Sequence, residues 1–431
     1  MGIYLLVIFL AIIFGINVYL NNKCFGAPAV VFSFAFLLSS TWACAYTDKW
    51  KLNLHYNTFM VIFCSVLLFS IVCLLTRKFD GVFIIDYSKI KKLTSVIEIN
   101  NKKMFFFIIF EIIIIIYYIE AIRNVTGIAI LQDAISAIYN NRNLLKLPFV
   151  VRVLMSILNA GGYWFSFIVA NNYLANRKIP WLYLIPVVNS VVCASLNGSR
   201  GDAVCILLSM VAFIILLDYR NNKHNRKIQI KKVMLVILIG GVAIWSFPRI
   251  GDLLGRTTNI APSDYVAAYI GAEIKNLDIF LSSIKIPANS GTWGSHVFIA
   301  LESTLNKYSD FSVRQSRASF GYNSVNGYFL GNVYTIFFDL LYDFGYIGNF
   351  VIIMILAFVN QKIFDCAEKK RIKKTIPISI MLYGYMFPLI LFSFFSWWFG
   401  NYVLSTGFLY KFFSWECFNV FFFKVKLLNK T

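Results

Sequence analysis

Long apolar runs separated by short polar punctuation fill most of the chain. A helical run of roughly 20 residues matches the hydrocarbon thickness of a bilayer. Such runs fall at 2–20, 27–45, 56–75, 104–123, 149–172, 181–197, 202–217, 233–248, 346–360, 376–396 and 402–423. The pattern predicts an all-α polytopic membrane protein with about eleven transmembrane helices. The runs are continuously apolar and lack the alternation of a membrane β-barrel. The first has no basic leader and no small-residue cleavage site, so it reads as a retained helix. The stretch 333–345 has room for an additional half-helix.

Most connections are short, but one is not. The segment 249–345 separates helices 1–8 (residues 1–248) from helices 9–11 and the carboxyl-terminal tail (346–431). Long loops on a rigid scaffold tend to carry function. Inside it, "PSDYVAAYIGAEIKNLDIFLSSIK" spaces its apolar residues helically, with Ser263 or Asp264 placed to cap. This predicts a helix along the membrane surface. "SHVFIALESTL" is a second short amphipathic candidate, and "LQDAISAIYNNRNLLK" marks another in the connection 124–148.

Composition agrees: 59% of residues are hydrophobic and only 14% charged, which excludes an ordinary soluble domain. The net charge of +20 invites a nucleic-acid reading until its location is read. Connections 21–26, 76–103, 173–180, 218–232, 361–375 and the tail from 424 hold twenty-five Lys/Arg against six acids. These alternate connections share one side of the membrane, the cytoplasm by the positive-inside rule. The amino terminus and the 124–148 and 249–345 loops then face outward. No nucleic acid is needed, because the basic clusters serve topology and contact with anionic membrane lipids. The eight cysteines show no metal-ligand spacing and read as small hydrophobes.

Candidate chemistry gathers on the outer side. In "SLNGSRGDAVCILLSM" Arg200 stands between two glycines where helix 6 gives way to helix 7. The amino terminus of helix 7 points its N–H groups at the same place, so arginine and helix end together suit an anion. Asp202 either orients Arg200 or caps the helix. The plain alternative is an arginine snorkelling to the interface. The long loop is unusual in keeping seven basic residues outside. Arg249 follows Pro248, Arg256 lies one loop further, and Arg314 and Arg317 are three apart. With Arg200 they are candidates to converge on a diphosphate.

Asp339 and Asp343 are four apart and share a helix face, as candidate general bases or as a cap and an arginine partner. His296 and Glu302 are further candidates. A single histidine without neighbouring ligands is no zinc site, and no Asp-x-Asp pair, Walker loop or nucleophile elbow occurs, so neither metal nor cofactor is expected. Glu111 and Glu120 in helix 4 read as buried acids able to partner arginine.

Three of these features, taken in order, resemble bacterial O-antigen polymerases of the Wzy type. They are the Gly-Ser-Arg-Gly turn at 198–201, the outer loop opening with Arg249 after helix 8, and "GNVYTIFFDLLYDFGYIG" at 331–348. The last contains Asn332, Thr335 and Asp343-Phe344-Gly345. The likeness covers most of the layout, while residues 1–100 match only as apolar spans. It implies a GT-C-like glycosyltransferase of the bacterial inner membrane with a large periplasmic loop between helices 8 and 9. Such an enzyme moves a growing glycan from undecaprenyl diphosphate onto the terminal sugar of a new lipid-linked repeat unit. Arg200, Arg249, Arg256, Arg314 and Arg317 are then expected at the diphosphate. Asp343 is the favoured base, ahead of Asp339, His296 and Glu302, and Arg142 and Asn332 are expected at the acceptor glycan. A chain-length regulator is an implied partner. An O-antigen ligase shares these features, and a lipid-linked oligosaccharide flippase is the non-enzymatic rival. A transporter is expected to line its helices with charge and to show internal symmetry.

Overall fold

The computed structural model describes residues 2–79, 95–141, 145–178, 181–196, 200–221, 260–288, 294–308, 322–370 and 375–424. Its helices are α1 (Gly2–Leu20), α2 (Pro28–Ala45), α3 (Tyr56–Phe79), α4 (Asn101–Thr126), α5 (Leu131–Asn140), α6 (Phe149–Asn176), α7 (Trp181–Leu196) and α8 (Arg200–Asn221). Beyond these come α9 (Pro262–Ile270), α10 (Ala272–Ser283), α11 (Ile299–Tyr308), α12 (Ile336–Lys369), α13 (Ile378–Leu391), α14 (Trp398–Tyr402) and α15 (Thr406–Asn419). Among the described residues seven helices are long and apolar enough to cross a membrane: α1, α2, α3, α4, α6, α8 and α12. The apolar α7 and α13 are shorter. The predicted run 233–248 lies outside the described residues, and the other ten runs each coincide with helix.

Lipid-facing physics explains the packing. α1 turns Leu5, Ile8, Phe9, Ile12 and Ile16 outward, and α4 does the same with Phe105, Phe106, Ile109, Ile112, Ile113 and Ile116. Polar side chains point inward instead, where a partner replaces water. Asn17 donates to Ser33 and Ser70 at 3.1 and 2.9 Å, joining α1, α2 and α3, and Asn349 donates to Ser65 at 3.1 Å. α6 packs on α7, α8 and α15, and α3 lies along α12. At the basic end Arg77 reaches Asn21 at 2.8 Å and Glu368 at 3.5 Å, while Arg220 donates to the carbonyls of Ala367 and Lys370.

Four expectations need correction. The helix predicted from 346 begins at Ile336 and breaks at Gly345, so the half-helix of 333–345 is its first segment. The predicted surface helix over 262–285 is two helices, α9 and α10, whose Tyr265, Val266, Ala267, Ala268, Ile274 and Leu277 are buried, with both helices packed on α2. Neither Ser263 nor Asp264 caps α9. Pro262 opens it, and Asp264 accepts from Tyr46 and Lys49, both at 3.0 Å. In α4, Glu111 is buried but accepts from Asn189 at 3.0 Å, and Glu120 is exposed.

A two-stranded hairpin, β1 (Asn323–Val325) and β2 (Tyr328–Gly331), precedes α12. Its turn is Asn326-Gly327 with positive φ at both residues (54° and 79°), the backbone a two-residue hairpin demands. Asn276 of α10 donates to the carbonyls of Leu330 and Val333, and Asn323 donates back to Asn276. This lattice fixes the chain as it enters α12.

Candidate functional site

Two buried polar clusters form at one end of the bundle, where α3, α8, α12 and α15 begin and α2 and α13 finish. The segments α9 to α11 and residues 392–402 fill that end. Asp278 of α10 binds the segment to α3, accepting from the His55 N–H at 2.9 Å and the Thr58 hydroxyl at 2.7 Å.

The first cluster is built on the opening turns of α12. Thr335 caps the helix by accepting from Phe337 N–H at 3.3 Å. Helical spacing then puts Asp339 and Asp343 on one face. At Gly345 the backbone adopts φ 68° and ψ −166°, a region essentially closed to other residues, and the long helix changes course. Asp343 Oδ2 accepts the backbone N–H of His296 at 2.9 Å and of Val297 at 2.8 Å. Asp339 Oδ1 lies 3.3 Å from His296 Nδ1, and the imidazole lies against the Tyr342 ring at 4.1 Å. His296 is only 1% exposed. With the proton placed on Nδ1, Asp339 accepts it and Nε2 is the basic nitrogen, the tautomer assigned by this hydrogen bond.

Glu302 sits one turn into α11. Its Oε2 has no hydrogen-bond partner among the described residues. Burial raises its pKa and the nearby Asp343 charge adds to the rise, with His296 acting against both. The expected residues His296, Asp339, Asp343 and Glu302 are therefore brought together. They hold distinct positions, however: Asp343 clamps backbone, whereas Asp339 engages the ring.

The second cluster surrounds Arg200, the first residue of α8 and only 6% exposed. It donates to the Tyr265 hydroxyl at 2.7 Å and lies 5.9 Å from the ring centroids of both Tyr265 and Tyr269. Burial raises the Tyr269 pKa and its hydrogen bond with Tyr265 adds to this, while Arg200 opposes the rise. In the same first turn Asp202 lies beside the Tyr402 hydroxyl.

Residues 393–402, "SFFSWWFGNY", join the clusters. Trp397 Nε1 donates to the Val297 carbonyl at 2.9 Å, next to His296. The adjacent Trp398 stacks on Tyr402 at 5.3 Å and meets Phe395 edge-on, and Phe395 stacks on Tyr269 at 5.9 Å. Gly400 makes the contact possible, since a Cβ there would come within 2.5 Å of the Val297 carbonyl oxygen. The apolar runs 376–396 and 402–423 take in the two ends of this stretch and leave only 397–401 as a connection. Its signal is aromatic density at a membrane boundary. Asn332 is exposed between β2 and α12. Arg142, Arg249, Arg256, Arg314 and Arg317 lie outside the described residues.

No family model, characterised protein or solved structure matches this chain.

Proposed function

We propose that the chain is a membrane glycosyltransferase of the O-antigen polymerase kind, with about eleven transmembrane helices in the bacterial inner membrane and its site on the periplasmic side. It transfers a growing glycan from undecaprenyl diphosphate to the terminal sugar of a new lipid-linked repeat unit. The observation that carries this reading is the buried His296–Asp339 pair, linked to the buried Arg200 through Trp397, Trp398, Phe395 and Tyr269 in turn.

In the proposed step the acceptor hydroxyl gives its proton to His296 Nε2 and its oxygen attacks the anomeric carbon. The bond from that carbon to the diphosphate oxygen breaks, and its electron pair leaves with undecaprenyl diphosphate. Asp339 holds the imidazole in the basic tautomer and stabilises the imidazolium that forms. The leaving group gains negative charge in the transition state, where a prepositioned guanidinium stabilises it most. The base proposed here is His296 and not Asp343, the sequence-based choice, because Asp343 Oδ2 already accepts two backbone N–H groups whereas the His296 ring is oriented by Asp339.

The test is purified protein with a synthetic undecaprenyl-diphosphate repeat unit, with and without EDTA, resolved on a gel. A ladder of longer glycans that survives EDTA is expected. No ladder, together with movement of the substrate across proteoliposome membranes, overturns the reading in favour of a flippase.

A further inference from the structure

Lys411 lies five residues into α15, roughly 7.5 Å from its start, and is only 8% exposed. Its Nζ lies 5.4 Å from the Tyr385 ring centroid and 5.9 Å from that of Tyr402. The basket is rigid. Tyr385 donates to the Tyr402 carbonyl at 3.1 Å and is packed by Tyr163, Phe408 and Trp415. Among the described residues the ammonium group, which carries three donors and no acceptor, meets these two rings and has no hydrogen-bond acceptor or ion-pair partner. An ammonium group largely withdrawn from water without an anion is a costly arrangement, and an anion that reaches it relieves the cost.

The basket adjoins the first turn of α8. Tyr402 is shared: its ring faces Lys411, and its hydroxyl lies beside Asp202, two residues after Arg200. Two buried cations, Arg200 and Lys411, thus flank the amino terminus of one helix, whose dipole adds positive potential.

We propose that Lys411 and the first turn of α8 form a phosphate site, so that Arg200 and Lys411 take the two phosphate groups of a diphosphate between them. The assignment of that diphosphate to a lipid-linked donor rests on the glycosyltransferase reading. The anion site itself follows from the unpaired ammonium group and the helix end. Lys411 is a binding residue in this scheme, and it explains a charge that an apolar helix has no other use for.

The test measures binding of undecaprenyl diphosphate to the full chain in nanodiscs, for wild type, Lys411→Met and Lys411→Arg, with inorganic pyrophosphate and phosphatidylglycerol as competitors. Lys411→Met is expected to bind about tenfold or more weakly, the usual effect of losing one charged hydrogen-bonding group, with Lys411→Arg close to wild type. Competition by pyrophosphate identifies a diphosphate site, and competition by phosphatidylglycerol alone identifies an ordinary lipid headgroup site and overturns the diphosphate claim. Melting is the second readout. Without ligand, Lys411→Met is expected to melt no lower than wild type, and to lose the rise that undecaprenyl diphosphate gives wild type. Wild-type binding by Lys411→Met, or a lowered melting temperature with an undiminished ligand-induced rise, overturns the site. If Lys411-dependent binding holds while no glycan ladder forms, the polymerase reading falls and the site stands. A ladder with wild-type binding by Lys411→Met has the opposite meaning.

Discussion

Asp343 holds His296 by its backbone and leaves the ring to another residue. Asp343 Oδ2 accepts the His296 and Val297 N–H groups at 2.9 and 2.8 Å, while the imidazole turns to Asp339 at 3.3 Å. Two carboxylates one helical turn apart therefore have separable roles. Asp343→Ala leaves two buried N–H groups unpaired, a loss of ~1–3 kcal/mol each way such groups are orphaned. The expected result is a lower melting temperature in detergent and faster proteolysis near residue 296, with activity lost in proportion to folding. Unchanged melting and proteolysis argue against the clamp.

Asp339→Asn is expected to behave differently. The fold should persist, because asparagine keeps the size of the side chain and an acceptor oxygen, while turnover falls by about 10²–10⁴ through loss of the oriented basic tautomer. Saturating kinetics separate the two cases: kcat should fall with KM little changed. An equal fall in melting temperature and kcat would make Asp339 structural.

Arg200 presents a planar fork to its surroundings, and lysine does not reproduce it. Arg200→Lys is expected to cost about 10²-fold or more in polymer formation, whereas Tyr265→Phe, which removes only the hydroxyl that Arg200 donates to, should cost less. Full polymer length and amount with Arg200→Lys would contradict a phosphate role.

Gly345 sets the angle at which α12 presents Asp339 and Asp343. Its φ of 68° and ψ of −166° suit only glycine, so Gly345→Ala is expected to lose ~1–3 kcal/mol of stability. Circular dichroism melting checks this. The nearest atom to a Cβ there is Pro287 Cδ at 3.5 Å, so backbone strain, and not crowding, is the cause.

Glu273 of α10 is fully buried, and neither carboxylate oxygen has a hydrogen-bond partner among the described residues. Burial raises its pKa well above 4.5. A raised carboxyl pKa means that the folded state holds the proton more tightly than the unfolded chain. Stability is therefore greatest below the ordinary glutamate pKa and falls as pH rises toward the folded value. Wild type is expected to melt progressively lower as pH increases from 5 upward, and Glu273→Gln to flatten that slope. Parallel slopes for the two proteins would refute it.

The layers of the molecule differ in how far the sequence exposes them. Apolar runs make the membrane helices legible, because lipid exposure is a property of each segment alone. The pairing of Asp339 with Asp343 follows from helical spacing, and the half-helix that carries them from the largely apolar stretch 333–345. Other features depend on contacts distant in sequence. Asp264 looked like a cap because only local neighbours are visible in a string, whereas Tyr46 and Lys49 approach it from more than 200 residues away. The same blindness hides that Asp343 meets the His296 backbone while Asp339 meets its ring, which turns on which oxygen meets which nitrogen. The Trp397-Trp398 bridge and Lys411 were in plain sight as residues, but their partners are set by packing. The Asn326-Gly327 turn is legible as an Asn-Gly pair, in a part of the long loop to which the pattern assigns no element.

The most direct test of the central claim is single-turnover glycosyl transfer by His296→Ala against wild type, at matched melting temperature and with synthetic lipid-linked repeat unit. The expected result is loss of at least about 10²-fold in the transfer rate with donor binding retained, since in the proposed mechanism the base acts in the transition state and Arg200 and Lys411 hold the donor. Transfer at the wild-type rate by a folded His296→Ala protein would contradict it.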